Sequence, residues 1–188
     1  MYMGRIILIV VVLLIVILIA CILGWYIRTY NNIQVTRLKV KEGLSGIDVA
    51  LTKRYDVLTK MLDTVKSYQK YEKELFTEVI QLRMGMNMQE REKVNGQMDA
   101  LSGEINLLAE NYPELKSSNN FVELQKAIAD VEEHLQAARR MYNANVTKYN
   151  ANLVAFPSSI VAKMMGAKEE EFFAAEDVKK KDVVMNFN

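Results

Sequence analysis

Apolar residues fill positions 6–23 without interruption, and beyond Arg28 they thin to a stripe recurring every three or four positions. All 18 residues of the first run, IILIVVVLLIVILIACIL, are apolar; Arg5 closes one end, and Gly24, Trp25, Tyr26 and Ile27 carry the run to Arg28. At about 1.5 Å rise per residue, residues 6–27 reach roughly 33 Å, the depth of a bilayer's hydrocarbon core. Each Leu, Ile or Val near the middle favours insertion by about 0.3–0.6 kcal/mol, with no charge in opposition. Many are β-branched, which in water would favour strand. In lipid the backbone must bond to itself, so the run predicts a membrane-spanning helix. A cleavable signal peptide has a shorter apolar core. Leu18-Ile19-Ala20-Cys21 has the form of a lipoprotein cleavage box and stands as the lesser alternative. A flexible polar tether normally follows such a box, whereas Ile22-Leu23-Gly24-Trp25-Tyr26-Ile27 follows here.

Residues 30–83 predict one long amphipathic helix. Val40, Leu44, Ile47, Leu51, Leu58, Met61, Val65, Tyr68, Leu75, Val79 and Leu82 share one face. Gly43 and Gly46 weaken its start and predict a kink or break there. Arg54 and Glu72 interrupt the seam about 27 Å apart, too far to pair within one helix. Each needs a partner on another helix or water, because an uncompensated buried charge costs several kcal/mol. Residues 84–92 predict a turn with Gly85 and Asn87 as breakers. Met84, Met86 and Met88 fill gaps at a helix end there; the alternative is an adaptable binding patch. A second helix is expected over 93–111, with Val94, Met98, Leu101, Ile105 and Leu108 as its stripe. Gly96 and Gly103 would permit close packing, and Pro113 stops it.

Asn120 with Glu123 three positions on reads as a capping box. The third helix is expected from Phe121 to Phe156, with Pro157 as its stop. Its stripe is Phe121, Leu124, Ile128, Val131, Leu135, Ala138, Tyr142, Val146, Tyr149, Leu153 and Phe156. Asn143, Asn145, Asn150 and Asn152 crowd its last third. Asn is a poor interior helix residue, so four of them predict amides bonded across helices to fix register; the alternative is a polar ligand groove. Ile160 to Met165 predicts a short fourth helix ended by Gly166. The tail carries Glu169-Glu170-Glu171 and Lys179-Lys180-Lys181 as solvated charge, with Phe172, Phe173, Val183, Val184 and Phe187 apolar enough to dock. The predicted fold class is all-α: an N-terminal single transmembrane helix followed by a long-helix antiparallel bundle, three main helices plus a short fourth. It divides into a transmembrane anchor (1–28), a helical bundle (29–165) and a C-terminal tail docking on the bundle (166–188).

Composition changes this picture little. The 188 residues carry 24 Lys and Arg against 23 Asp and Glu, so no acidic or basic partner is implied and nucleic-acid binding has no support. The single Cys21 excludes an internal disulfide. Charge placement predicts orientation: Arg5 precedes the span, whereas Arg28, Arg37, Lys39 and Lys41 follow it, so the N-terminus is expected outside and the domain in the cytoplasm. The same basic segment would attract anionic headgroups by about 1 kcal/mol per charge.

Candidate chemistry is sparse. His134 is the only histidine, which leaves no His cluster for a metal and no His-based triad. Beside the Leu135 stripe it reads as a helix-flank residue. There is no glycine-rich phosphate loop and no Gly-x-Ser-x-Gly elbow. Glu72, Arg54 and Arg139 read as inter-helix ion pairs. No catalytic, cofactor-binding or metal-binding residue is assigned, and neither enzyme activity nor a cofactor is expected.

Several segments together carry a family resemblance. They are Tyr30-Asn31 after the span, Ile47-Asp48-Val49-Ala50-Leu51-Thr52-Lys53-Arg54, Glu72, Arg83, and Ala109-Glu110-Asn111-Tyr112-Pro113-Glu114-Leu115-Lys116. Phe121, Leu124-Gln125, Glu132, Ala138-Arg139-Arg140, Tyr142-Asn143, Val146, Tyr149-Asn150 and Phe156-Pro157 continue the match, with Phe172 and Phe187 in the tail. On these the chain resembles the LemA family of bacterial membrane proteins over nearly its whole length. It departs by lacking a proline near Thr59 and by Glu133-His134 where the family has Asn-Arg. The resemblance implies a helical bundle on an N-terminal membrane helix of the bacterial inner membrane, N-terminus outside and domain inside. It implies no activity; the family's genes often lie beside membrane peptidases or stress-related membrane proteins, which hints at an accessory role.

The function expected is a non-enzymatic, membrane-anchored scaffold that assembles with its own copies. The seam over 40–82 is longer than helices of 19 and 36 residues cover. The alternative is an adaptor or accessory subunit for a membrane peptidase or stress-response membrane protein. Expected partners are the bilayer, further copies of the chain and, under the alternative, another membrane protein. No Gly-x-x-x-Gly lies in the span, so self-association is expected from the soluble part.

Overall fold

The computed structural model describes residues 2–68 and 86–173. They form five α-helices and, among the described residues, no strand: α1 (Tyr2–Tyr68), α2 (Met88–Glu110), α3 (Pro113–Lys116), α4 (Asn119–Val154) and α5 (Ser158–Met164). Glu72, Leu75, Val79, Leu82, Arg83, Met84, Gly85, Lys179 to Lys181, Val183, Val184, Phe187 and the Tyr68 side chain lie outside the described residues. The chain divides into two units, Met1–Lys41 with Ala144–Glu170, and Glu42–Asn143 with Glu171–Asn188.

α1 is a single helix of 67 residues, so the break expected at Gly43 and Gly46 is not there. Two interior glycines cost about 1 kcal/mol each against alanine. The packed seam around them outweighs that, with Val40, Ile47, Ala50 and Leu51 all 5% exposed or less.

In the first unit, the apolar start of α1 stands exposed on every side and is long and apolar enough to cross a membrane. Its packed seam opens earlier than expected, at Ile33 and Thr36; Val146, Tyr149 and Leu153 of α4 and Val161 and Ala162 of α5 are buried in the same unit. α4 ends at Val154, short of Phe156. Pro157 offers no amide and pushes the residue before it out of the helical region. The stripe therefore stops at Leu153, and Phe156, expected to close it, is 84% exposed. α5 begins two residues before the expected Ile160. Gly166, at φ +61°, ends it in a Schellman turn: its amide bonds the Lys163 carbonyl and the Ala167 amide bonds the Ala162 carbonyl.

In the second unit, Ile47, Leu51, Leu58, Met61 and Val65 of α1 are fully buried. Around them lie Val94, Met98, Ile105 and Ala109 of α2, Leu115 of α3, and Phe121, Ile128, Val131 and Leu135 of α4. α2 starts at Met88, inside the segment expected as a turn. Asn87 is its cap rather than a breaker: its Oδ1 accepts from the Glu90 amide at 2.9 Å, and Glu90 Oε2 accepts from the Asn87 amide at 2.7 Å. At the start of α4 the capping oxygen belongs to Ser118, which accepts from the Phe121 amide at 3.3 Å, instead of to Asn120. Gly103 faces open space, so no close packing is made there.

Candidate functional site

The polar interior of the second unit centres on Arg54, which occupies a seam position where the neighbouring heptads place Ile47 and Met61 and is 3% exposed. α2 and α4 bring its acceptors. Nη1 donates to Asn95 Oδ1 at 2.8 Å; Nη2 donates to Asp99 Oδ1 at 2.5 Å and to Glu132 Oε1 at 3.0 Å. Its Nε has no acceptor among the described residues. The two carboxylates are less buried than the cation, 28% and 47% exposed, so they retain part of their hydration. The expectation of an inter-helix partner for Arg54 thus resolves onto Asp99 and Glu132. Glu72 lies outside the described residues.

A second buried cation, Arg91, was not foreseen from the sequence. It forks onto Asp48, Nε to Oδ1 at 2.6 Å and Nη2 to Oδ2 at 2.9 Å, and its Nη1 donates to the Met86 carbonyl. The hydrogen bond to Asp48 raises Arg91 above its ordinary guanidinium value, outweighing burial, which pulls the other way. The two contacts climb together, Asp48 with Arg91 and Arg54 with Asn95 and Asp99, so α2 runs in the same sense as α1. Arg139 places its guanidinium 4.6 Å from the centre of the Phe173 ring. Arg91, raised further above neutrality, cannot act as an acid or base there.

The asparagines of α4 form two columns. Residues 142–155 read YNANVTK-YNANLVA, a seven-residue repeat. Tyr142, Val146, Tyr149 and Leu153 fill the seam. At 100° per residue, Asn143 and Asn150 flank one side of it and Asn145 and Asn152 the other. In the first unit the second column meets α1: Asn145 Nδ2 donates to the Lys39 carbonyl at 2.9 Å, and Asn152 bonds Asn32 and Thr36, each at 3.3 Å. These pairs run in opposite directions along the two helices, so α4 is antiparallel to α1.

The first column grips the segment after α5. Asn150 accepts from the Glu170 amide at 3.0 Å and donates to its carbonyl at 2.9 Å. In the second unit, Asn143 accepts from the Phe173 amide at 2.9 Å and donates to the Phe173 carbonyl at 3.0 Å. The Tyr142 hydroxyl donates to the Glu171 carbonyl at 2.7 Å. Cross-helix bonding was therefore the right expectation for Asn145 and Asn152, while Asn143 and Asn150 hold tail backbone. The doubling of YNAN marks both columns in the sequence, but not their targets. Burial raises the Tyr149 phenol above its usual 10.0, against the pull of Arg37 and with help from Glu170.

His134 is exposed on α4, its Nδ1 2.8 Å from the Asp130 carbonyl. Cys21 is exposed on the apolar stretch of α1. Met86 and Met88 are half-buried beside the α2 cap. Among the described residues, no group of three His, Cys, Asp or Glu side chains is placed to hold a metal.

The sequence profile of the LemA family matches residues 43–187. The chain belongs to the LemA family. Protein LemA of Metamycoplasma hominis is 26% identical over 163 residues, 84% of this chain and 74% of that protein. Magnetosome protein MamQ of Magnetospirillum gryphiswaldense is 25% identical over 71 residues, 38% of this chain and 26% of that protein. Neither relative is named for a catalytic activity. Among the residues on which the resemblance to the LemA family rests, Asp48, Arg54, Glu132, Tyr142, Asn143 and Asn150 all make the contacts described above.

Two outcomes follow from these contacts. Arg54→Met should lower unfolding stability by about 3 kcal/mol, since it takes the donor from the buried Asn95 Oδ1 and leaves two carboxylates without their cation. Glu132→Gln, at a half-exposed site, should cost less than about 1 kcal/mol. Guanidinium unfolding of the full chain in mild detergent measures both, and near-equal losses would show that Arg54 is not the pivot. For the tail, Asn143→Leu removes two hydrogen bonds of about 1 kcal/mol each. Hydrogen exchange at the Phe173 amide should accelerate by roughly 10-fold or more, and at the Glu170 amide by less. Asn150→Leu should reverse that order.

Proposed function

We propose that this LemA-family chain is a non-enzymatic scaffold anchored in the bacterial inner membrane, with its N-terminus outside, its helical part in the cytoplasm and further copies of itself as partners. One observation carries the structural reading. The buried polar side chains among the described residues are Thr36, Arg54, Arg91 and Asn95, and each is bonded to the chain itself. The interior polarity is thus used to hold helices in place. The surface available to copies differs from the one the sequence suggested. The seam as far as Val65 is covered within one chain. The opposite side of α1 in the first unit instead presents Val35 and Leu38, 50% and 65% exposed.

The protein mass of the full chain in mild detergent, from light scattering with the micelle subtracted, should be a discrete multiple of 21.6 kDa. Leu38→Glu should reduce it. A wild-type mass near one chain would overturn assembly and move the adaptor reading first. Orientation has its own measurement. In a Cys21→Ala background, Lys116→Cys places a thiol at an exposed position. A membrane-impermeant maleimide should label it only after the cells are permeabilised; labelling in intact cells would reverse the topology.

A further inference from the structure

Three large apolar side chains of the first unit stand in the open around the corner between α4 and α5: Val154 at 67%, Phe156 at 84% and Ile160 at 49% exposure. Their height along α1 follows from the hydrogen bonds. Asn145 meets Lys39 and Asn152 meets Asn32, so seven residues forward on α4 match seven residues back on α1. Carried on, that register sets Phe156 level with Arg28 and the corner level with Trp25 to Thr29. Ser158 independently shares a niche with Trp25, Arg28, Thr29 and Asn32. α5 then climbs away, because Met165 and Ala167 line a hollow with Tyr30, Ile33, Gln34, Arg37 and Tyr149. The corner is therefore the part of this unit nearest the end of the apolar run. Residues 151–165 contain a single charge, Lys163, and no acid that anionic headgroups would repel.

We infer that the α4–α5 corner is a second membrane contact: Phe156, flanked by Val154 and Ile160, inserts among the headgroups and upper acyl chains of the leaflet that α1 leaves at Trp25 to Arg28. The chemistry is that of an interfacial anchor, with apolar side chains in the acyl boundary and the cations Arg28 and Lys163 beside lipid phosphates. It rests on α1 being the span.

The test uses the full Cys21→Ala chain in vesicles of equal parts phosphatidylcholine and phosphatidylglycerol, labelled with an environment-sensitive NBD thiol dye. Phe156→Cys is compared with Leu13→Cys in the span and with Ala144→Cys, an exposed site about 18 Å back along α4. Emission at 156 should be blue-shifted relative to 144, quenched by nitroxide lipid labelled near the headgroup, and shielded from iodide. If 156 matches 144 while 13 reports lipid, the anchor stands and the inference falls. A blue shift at 156 without nitroxide quenching would place the corner against protein and overturn it equally. If 13 also reports water, the span itself is wrong. Phe156 packs against little in the fold, so its replacement leaves folding intact.

Discussion

Taking the Arg54 guanidinium out of water costs several kcal/mol unless acceptors meet it at the same level from other helices. Hydrophobic stripes alone tolerate sliding, because a heptad shift presents another apolar residue of similar size. A cation in the stripe does not. With Arg54 3% exposed, Asn95, Asp99 and Glu132 must stand at one height, which fixes α2 and α4 against α1. The Arg91–Asp48 fork adds a second point between α1 and α2 about 9 Å along the helix. Two points determine a direction as well as a register. The second unit thus owes its uniqueness to a few polar contacts and its bulk stability to the apolar residues between them.

In the first unit the hydrogen bonds described between α1 and α4 use neutral side chains, those of Asn145, Asn152, Asn32 and Thr36. A neutral amide costs far less to desolvate than an ion, and these groups sit just past the apolar run of α1. A single helix here serves two solvents: apolar around its whole circumference where lipid would surround it, apolar along one stripe where protein does.

The seam of α1 was legible because a buried helix face repeats in every heptad, so each residue confirms its neighbours. Arg54 was legible as an exception to that repeat. Its partners were not, since Asp99 and Glu132 look like any solvated acids until the helices are placed side by side. Arg91 was missed because residues 84–92 read as a turn, so this cation three residues before Val94 was not placed on the α2 helix at all. The glycines at 43 and 46 misled because propensity is local, and packing on both sides supplies more free energy than they cost. Phe156 misled because periodicity was carried right up to Pro157, although the residue before a proline is pushed out of the helical region. Apolar spacing also says nothing about whether the covering material is protein or lipid.

The YNAN repeat shows how far sequence pattern reaches. Spacing alone puts Asn143 and Asn150 on one flank of the seam and Asn145 and Asn152 on the other. It cannot decide between a column facing a neighbouring helix, a ligand or a strand of chain, since an amide offers the same donor and acceptor to each. The structure gives one column to α1 and the other to the backbone at Glu170 and Phe173. A polar ligand on that second flank would have to replace four backbone hydrogen bonds already made in place, two at each asparagine. Such contacts read main chain and not side chain, so the identity of residues 170 and 173 matters less to them than the extended path between. The cation–π contact of Arg139 with Phe173 then supplies what the amides lack, a preference for which side chain lies there.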